Sequence, residues 1–334
     1  MPWARKFNRT AVSHLFGFRP DRAAVARRLT VRPADGNAGA RSARRAAGRC
    51  TIVEPVAPMN LLAIAFPSVD PIAFEIGPLA VRWYGIAYMA GLLLGWLYMR
   101  RLLDQERLWR GAPPLLPDDA DTMLLYITFG VVGGGRLGFF LLYEPAALLA
   151  DPLEFFRVWH GGMAFHGGLV GCGVALLIFA RLKRIGLLSC IDLAAATVPF
   201  GLLFGRIANF VNGELWGKPT DVGWAMVFPD PAAGGVPRHP SQLYEAALEG
   251  LLLFLVLRWL THSRLKFKQP GFVAGAFLIG YGLARISAEI FREWDPTPLF
   301  QFDWLSSGQV YSLPMLVLGL ILVVRARARP AVAP

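Results

Sequence analysis

The chain has 334 residues, of which 55% are hydrophobic and 17% are charged, and its formal net charge at pH 7 is +11. The apolar residues occur in long blocks separated by short polar connections, which excludes a single soluble core and indicates several membrane spans. The basic excess is confined to the N-terminal part, so it does not indicate that the rest of the chain binds nucleic acid.

Residues 1–50 form a basic leader with twelve Lys or Arg and two Asp, which gives a net charge of +10. The remaining 22 basic and 21 acidic residues net to +1. A basic tail can bind nucleic acid or anionic lipid, but no apolar core of about 7–15 residues follows these charges, so a signal peptide is not predicted. We expect residues 1–58 to be a disordered leader or the product of a start codon upstream of Met59.

Seven apolar blocks follow, each near the length of about 20 residues that a bilayer requires. They predict an all-α polytopic membrane protein with about seven transmembrane helices in one domain over residues 59–330. Gly130, Gly134 and Gly138 recur at steps of four in the second block, which predicts close packing against another helix. The blocks lie at about 81–100, 121–143, 162–181, 188–208, 241–260, 271–291 and 308–325.

Basic residues follow the first, third, fifth and seventh blocks, whereas the alternate connections are acidic. The positive-inside rule then predicts that the C-terminus is cytoplasmic and that the body of the protein begins outside. The longest connection, about 209–240, contains Pro219, Pro229, Pro231 and Pro237 and is predicted to be an irregular outer region. The basic residues include Arg100, Arg101, Lys183, Arg184, Arg264, Lys266, Arg325 and Arg327.

Ionisable residues near the outer ends of the blocks are informative because each costs at least about 2.5–3.5 kcal/mol in hydrocarbon. In the sixth block Tyr281, Arg285, Glu289 and Arg292 recur at steps of four, four and three, which places them on one helical face. Arg285 and Glu289 can pair with each other. Arg206 and Arg292 have no obvious local partners, so an anionic ligand is predicted.

The densest polar segment is Gly205–Gly217, which contains Arg206, Asn209, Asn212 and Glu214. A guanidinium suits a phosphate because it offers a planar fork of donors with permanent charge. The alternative is a helix end whose arginine extends to the membrane surface, but that does not require the neighbouring amides and carboxylate.

His166 stands between two glycine pairs, and His239 stands in the segment Arg238–Glu245 that enters the fifth block. A membrane histidine is often a hydrogen-bonded structural group, but the flanking glycines would let a lipid head group or a peptide backbone approach His166. The three cysteines are far apart and near no histidine pair, so neither a disulfide framework nor a zinc site is predicted. They are Cys50, Cys172 and Cys190.

These segments resemble, in order and spacing, those of the bacterial prolipoprotein diacylglyceryl transferases. The resemblance covers about residues 66–325, and the first ~58 residues have no counterpart in the family pattern. One departure is Ala208, where the family usually carries Gly. The matching segments are Trp83–Gly85, Trp159–Gly168, Arg206–Gly217, Arg238–Glu245 and Tyr281–Arg292.

The resemblance implies transfer of the diacylglyceryl group of phosphatidylglycerol to the lipobox cysteine of a prolipoprotein, which is the first step of bacterial lipoprotein maturation. A thioether forms and glycerol phosphate is released. The partners would be phosphatidylglycerol, the prolipoprotein signal peptide and the bilayer, without nucleic acid, metal or organic cofactor. The implied location is the bacterial cytoplasmic (inner) membrane, with the active site toward the periplasm.

We assign catalytic roles to His166, Arg206, Arg285 and Tyr281. The arginines would hold the phosphate, and His166 would be the general base, with Tyr281 or a carboxylate as the competing candidate. A transporter with charges along its pathway is an alternative, although no internal repeat supports it. A structural membrane subunit is another. The residues expected to bind substrate or to hold the site in place are Tyr84, Asn209, Glu214, His239, Glu289 and Arg292.

Overall fold

The computed structural model describes residues 64–293 and 306–328, except residues 68, 71 and 78. The predictions for the leader, residues 1–58, lie outside the described residues. Most of the described chain is helical. The longer helices are α1 (Trp83–Leu103), α2 (Asp119–Leu142), α4 (Phe165–Leu182), α5 (Leu187–Ala195), α6 (Val198–Val211), α8 (Leu253–His262), α9 (Phe272–Glu289) and α10 (Ser307–Ala328), and the short ones are α3 (Pro145–Ala150) and α7 (Ser241–Glu245).

Within the described residues, five helical stretches have the length and apolar composition needed to cross a membrane, which makes the chain a polytopic membrane protein. The sequence-based number of about seven spans stays a prediction. Helix α1 is less apolar because it carries two tryptophans and three tyrosines, and the fifth block contains a π-helical segment, Ala246–Leu252, between α7 and α8. The five stretches are Asp119–Leu142, Phe165–Leu182, Leu187–Val211, Phe272–Glu289 and Ser307–Ala328.

The prediction of an all-α body missed two small sheets. Strands β2 (Ile72–Ile76) and β3 (Leu79–Arg82) form an antiparallel hairpin directly before α1. In the second sheet, β1 (Ile64–Ala65) pairs in parallel with β4 (Met226–Val227), which pairs antiparallel with β5 (Pro237–Arg238). Strands of two residues are too short to show an alternating pattern in the sequence.

The prediction of close packing at Gly130, Gly134 and Gly138 is confirmed. Helix α2 lies against α4 so closely that a Cβ at Gly138 would come within 2.7 Å of the Cα of Gly167. A Cβ at Gly134 would overlap the carbonyl oxygen of Gly167. Only small residues allow two membrane helices to approach in this way.

A buried apolar cluster lies at one end of the helices, formed by the C-terminal parts of α1 and α4, the N-terminal parts of α2 and α9, and the helices α5 and α8. Asp192 of α5 is buried there and accepts hydrogen bonds from the main-chain N–H groups of Gly271 and Ala274, both at 2.7 Å, so it caps α9. This contact fixes where α9 begins. The cluster includes Leu102, Met123, Phe179, Leu193, Leu257 and Val273.

Candidate active site

A cluster of arginines and carboxylates lies at the opposite end of these helices. Arg206 is near the end of α6, Glu245 is at the end of α7 and Glu249 is in the π-helical segment. Arg285 and Glu289 are in the last two turns of α9, and Arg292 follows that helix. With three guanidiniums and three carboxylates, the cluster is neutral when every member is ionised.

Glu245 contacts all three arginines and is fully buried. Its Oε1 accepts hydrogen bonds from Nη1 of Arg285 at 2.6 Å and from Nη1 of Arg292 at 3.0 Å. Its Oε2 lies 3.1 Å from Nη1 of Arg206. This carboxylate therefore connects α7 with α6, α9 and the segment after α9.

Glu249 is also fully buried, and it pairs mainly with Arg206. Its Oε2 accepts hydrogen bonds from Nε and Nη2 of Arg206 at 3.3 and 3.2 Å. Its Oε1 lies 3.6 Å from Nη1 of Arg285, which is an ion-pair distance but too long for a hydrogen bond. Arg285 also forms a close ion pair with Glu289 within α9.

These contacts correct one step of the sequence argument. Arg206 and Arg292 were predicted to lack local partners, but both pair with carboxylates of the fifth block. The prediction that Arg285 can pair with Glu289 is confirmed. The partners of Arg206 lie on another helix, so a missing partner no longer indicates an anionic ligand. The exposure of the arginine side chains still does, since those of Arg206 and Arg285 remain 17% and 15% exposed despite their buried partners.

The amides beside Arg206 contact the carboxylate of Glu214. Nδ2 of Asn209 donates to Oε1 of Glu214 at 2.8 Å, and Nδ2 of Asn212 lies 3.4 Å from the same oxygen. Helix α6 ends at Val211, and Gly213 then adopts a φ of +67°, which turns the chain back. The loop docks on α7, since Nε2 of Gln242 donates to the carbonyl oxygen of Glu214 at 2.6 Å.

The two tyrosines predicted as site residues, Tyr84 and Tyr281, lie on different helices. Tyr84 is in the first turn of α1, and its hydroxyl donates to the hydroxyl of Tyr88 at 3.0 Å. Tyr281 is on α9, one turn before Arg285, and its ring stacks on Phe277 at a centroid distance of 5.9 Å. Tyr281 packs against the apolar cluster, so its position resembles that of a core residue as much as that of a base.

His166 lies in the first turn of α4 and is exposed. Its ring meets the ring of Tyr311 on α10 edge to face, with the centroids 5.7 Å apart. Among the residues that the structure describes, no hydrogen bond or ion pair connects His166 with Arg206 or Arg285. The structure therefore does not bring the candidate base into contact with the candidate phosphate ligands.

Arg136 of α2, only 1% exposed, holds the segment that precedes His166. Its guanidinium donates hydrogen bonds to five main-chain carbonyl oxygens between α3 and α4; those to Phe155 and Gly162 are both 3.1 Å long. A charge buried near the end of a membrane helix is costly, and these hydrogen bonds are how the fold accommodates it. The five carbonyls belong to Glu154, Phe155, Arg157, Gly161 and Gly162.

His239 lies in the outer loop region next to α7. Its Nδ1 is 3.1 Å from the hydroxyl of Tyr244, and its ring packs edge to face on Phe291 at 5.1 Å. Burial lowers the pKa of His239 below its usual value, because the charged form loses water contacts. A neutral His239 that packs against two aromatic rings is suited to holding the loop in place.

Sequence reasoning missed two polar residues of this region, Gln242 and Glu249, which are both fully buried. The available signal was their spacing from Glu245, three residues before it and four residues after it, in an otherwise apolar block. Among the described residues, no group of three His, Cys, Asp or Glu side chains is arranged to hold a metal ion.

The fold and the site define a class: a polytopic membrane protein with buried arginines and carboxylates at one end of its helices. The family model for prolipoprotein diacylglyceryl transferase matches residues 71–325. The phosphatidylglycerol–prolipoprotein diacylglyceryl transferase of Rhizobium leguminosarum bv. trifolii is 52% identical over 276 residues, which is 81% of this chain and 97% of the relative. The proteins of the same name from Rhizobium meliloti and Rhodopseudomonas palustris are 50% and 47% identical, over 82% of this chain and 98% and 97% of theirs. The chain belongs to the prolipoprotein diacylglyceryl transferase family.

Proposed function

We propose that this chain transfers the diacylglyceryl group of phosphatidylglycerol to the cysteine thiol of a prolipoprotein lipobox. The names of its relatives, at about half identity over most of the chain, support this activity. The observation that carries the proposal is a pair of arginines with partly exposed side chains, Arg206 and Arg285, which lie on different helices and share the carboxylates Glu245 and Glu249. Two converging guanidiniums suit a phosphodiester.

In the proposed reaction, the cysteine sulfur forms a bond to the terminal glyceryl carbon of the diacylglyceryl group. The bond between that carbon and the phosphate oxygen breaks, and its electron pair leaves with glycerol phosphate. The thiol proton passes to a base, since the thiolate is the nucleophile and a free thiol has a pKa of about 8.5. Negative charge grows on the phosphate as the bond breaks, so fixed cations stabilise the transition state.

We assign the phosphate to Arg206 and Arg285. Each guanidinium has five N–H donors, and the hydrogen bonds to Glu245 and Glu249 use only some of them. The remaining donors, on side chains that are partly exposed, are available to a phosphate. The carboxylates keep the guanidiniums in position before the lipid arrives.

His166 is the proposed general base, with Tyr281 or a carboxylate as the competing candidate. Exposure at the start of α4 supports His166, because a peptide thiol can reach it directly, whereas Tyr281 packs in the core. We propose that Tyr84, Asn209 and Glu214 orient the head group. His239, Glu289 and Arg292 would hold the arginines and the outer loop in place.

We also propose a membrane arrangement for this activity. Seven helices would cross the bacterial inner membrane, with the body beginning outside and the C-terminus in the cytoplasm, as the basic connections favour. The arginine cluster and the region 209–240 would then face the periplasm, where exported prolipoproteins present their lipobox. Residues 1–58 would be a leader that is separate from the transferase domain at 59–330.

Purified protein in lipid nanodiscs tests the activity. The nanodiscs contain phosphatidylglycerol, and the second substrate is a synthetic peptide with a lipobox cysteine. We expect a peptide whose mass increases by one diacylglyceryl group, together with free glycerol phosphate. A peptide with Ser in place of Cys is the control and should stay unmodified. If no thioether forms, the proposal is wrong; a transporter would instead move phosphatidylglycerol between the leaflets of sealed vesicles that contain the protein.

A further inference from the structure

A groove runs along the membrane-spanning helices α2 and α4, and all of its lining residues belong to these two helices. Its volume is about 860 Å³, and its side chains are apolar except for those of Thr122, Tyr126 and His166. The walls consist of large exposed side chains, so the described part of the chain leaves the groove open. They include Leu125, Phe129, Leu137, Leu141, Val170 and Val174.

The groove exists because α2 and α4 are antiparallel and touch main chain to main chain. A Cβ at Gly138 would come within 2.7 Å of the Cα of Gly167, and further along, a Cβ at Gly130 would come within 2.5 Å of the carbonyl oxygen of Gly171. Side chains therefore stand only on the two sides of this contact. The main chain forms the floor of the groove between them.

The length of the groove equals the thickness of a membrane. Its lining residues on α2 run from Thr122 to Leu142, and at about 1.5 Å per residue this distance is about 30 Å. The hydrocarbon core of a bilayer is also about 30 Å thick, so the acyl chains of one leaflet reach only about half of it. The length therefore favours one continuous apolar segment that enters the membrane over the chains of a single lipid.

His166 lies at the end of the groove where α2 ends and α4 begins. This is the end of the helices at which the arginine cluster lies. Because His166 is the proposed base for the thiol, the groove leads from the proposed site into the membrane. A substrate with its cysteine at His166 would place the residues that precede the cysteine at the mouth of the groove.

We propose that the groove binds the apolar core of the prolipoprotein signal peptide as a helix, with the lipobox cysteine at His166. The inference rests on the proposed function and adds to it the surface that holds the second substrate. The apolar core of a signal peptide has about 7–15 residues and precedes the cleavage site. As a helix it is about 10–22 Å long, so it fits within the groove.

Packing, rather than burial from water, stabilises this complex. A peptide in hydrocarbon forms a helix because its N–H and C=O groups have no water to bind. Lipid chains are as apolar as the walls, so a helix gains by fitting the shape of the groove more closely than lipid does. A bulky side chain added to a wall should therefore weaken the binding of the signal peptide.

Two peptides with the same lipobox test the proposal in nanodiscs that contain phosphatidylglycerol. One has an apolar core of about twelve residues before the lipobox, and the other has none. We expect Val170→Trp to reduce the preference for the long peptide, measured as the ratio of the two KM values, by about 10-fold or more. Val317→Trp is the matched control, because Val317 is an equally exposed valine of α10 that does not line the groove, and it should keep the wild-type ratio.

The lipid is the competing occupant, and the same measurements distinguish it. A folded Val170→Trp protein with the wild-type ratio would overturn the proposal. So would a rise in the KM for phosphatidylglycerol that is the same with both peptides, since that result would assign the groove to acyl chains.

Photo-cross-linking separates this inference from the activity and needs no variant to fold. The long peptide carries Ser in place of Cys and benzoylphenylalanine in its apolar core, and mass spectrometry locates the adducts after illumination. We expect adducts on both α2 and α4 that an excess of the unlabelled peptide suppresses. Adducts on lipid alone, or on other helices, would overturn the proposal. If no thioether forms with the Cys peptide, the proposed function is wrong, and the positions of the adducts still decide whether the groove binds the peptide.

Discussion

Nη1 of Arg285 donates a hydrogen bond of 2.6 Å to Oε1 of Glu245, although the two residues lie on different helices and 40 positions apart. The same guanidinium pairs with Glu289 one turn along its own helix. Arg285 therefore has both a structural partner and a partner in the candidate site. A substitution at this position affects folding and chemistry together, and an experiment has to measure both.

The first prediction concerns Arg206 and Arg285. Replacing either by Ala removes a charge-assisted contact to the phosphate, so kcat/KM should fall about 100- to 1,000-fold, or about 2.7–4 kcal/mol of transition-state stabilisation. Lys keeps the charge but loses the planar fork, so Arg→Lys should recover only part of the rate. Initial rates and the yield of folded, detergent-extracted protein are measured side by side.

The folded yield distinguishes a structural role for Arg285. Arg285→Ala leaves the buried carboxylates Glu245 and Glu289 without this partner, which lowers stability. Adding Glu289→Gln removes one stranded charge and should restore part of the yield but not the rate. A well-folded Arg285→Ala protein that transfers lipid at close to the wild-type rate would show that the phosphate assignment is wrong.

The second prediction concerns the packing of α2 against α4. A Cβ at Gly134 would overlap the carbonyl oxygen of Gly167, so Gly134→Ala should destabilise the protein by about 1–3 kcal/mol. Gly133 is the matched control, because a Cβ there meets no atom within 4 Å. Thermal unfolding in detergent should show a lower Tm for Gly134→Ala and little change for Gly133→Ala. Equal Tm values for the two variants would contradict the close packing.

The third prediction is topological and follows from the basic connections. A reporter that is active only in the cytoplasm should be active when it is fused after Arg329 and silent when it is fused at Ala233. Expression of both fusions is checked with an antibody against the reporter. The reverse pattern would move the arginine cluster to the cytoplasmic side, where exported prolipoproteins do not present their lipobox.

The fourth prediction concerns the leader. Because residues 1–50 carry almost all of the net charge and the family match begins at residue 71, deletion of residues 1–58 should leave lipid transfer close to the wild-type rate. The truncated protein is compared with the full chain after both are shown to be inserted in the membrane. A membrane-inserted truncated protein without activity would assign a function to the leader.

The helices and the glycine packing could be predicted because both depend on patterns that repeat within one segment. Apolar blocks of about 20 residues specify spans, and the spacing of Gly130, Gly134 and Gly138 specifies a close contact. The partner of Arg206 could not be predicted, since Glu249 lies 43 positions away and meets it only after α6 packs against the fifth block. The sequence shows which charges are costly but not which of them meet.

The same limit applies to the short strands and to the buried side chain of Gln242. Two-residue strands such as β4 leave no periodic pattern, and their pairing depends on how the outer region folds. Gln242 lies in the short helix α7, and the loop at Glu214 docks on it. Its spacing of three residues from Glu245 indicates that the two side chains share one side of the helix, but not that this side is buried.

The contacts of Arg136 restrict how the length of the chain can change during evolution. Its guanidinium donates hydrogen bonds to carbonyl oxygens between residue 154 and residue 162. Adding or deleting one residue within this stretch would turn some of those carbonyls away from their donors, in a segment next to the membrane where water is scarce. In the outer region at 209–240, the side chain of Arg238 binds two main-chain carbonyl oxygens, those of Gly217 and Ala233, and the residues between these two points are less restricted in number. Insertions are therefore expected there, while the stretch that leads to His166 should keep a fixed number of residues.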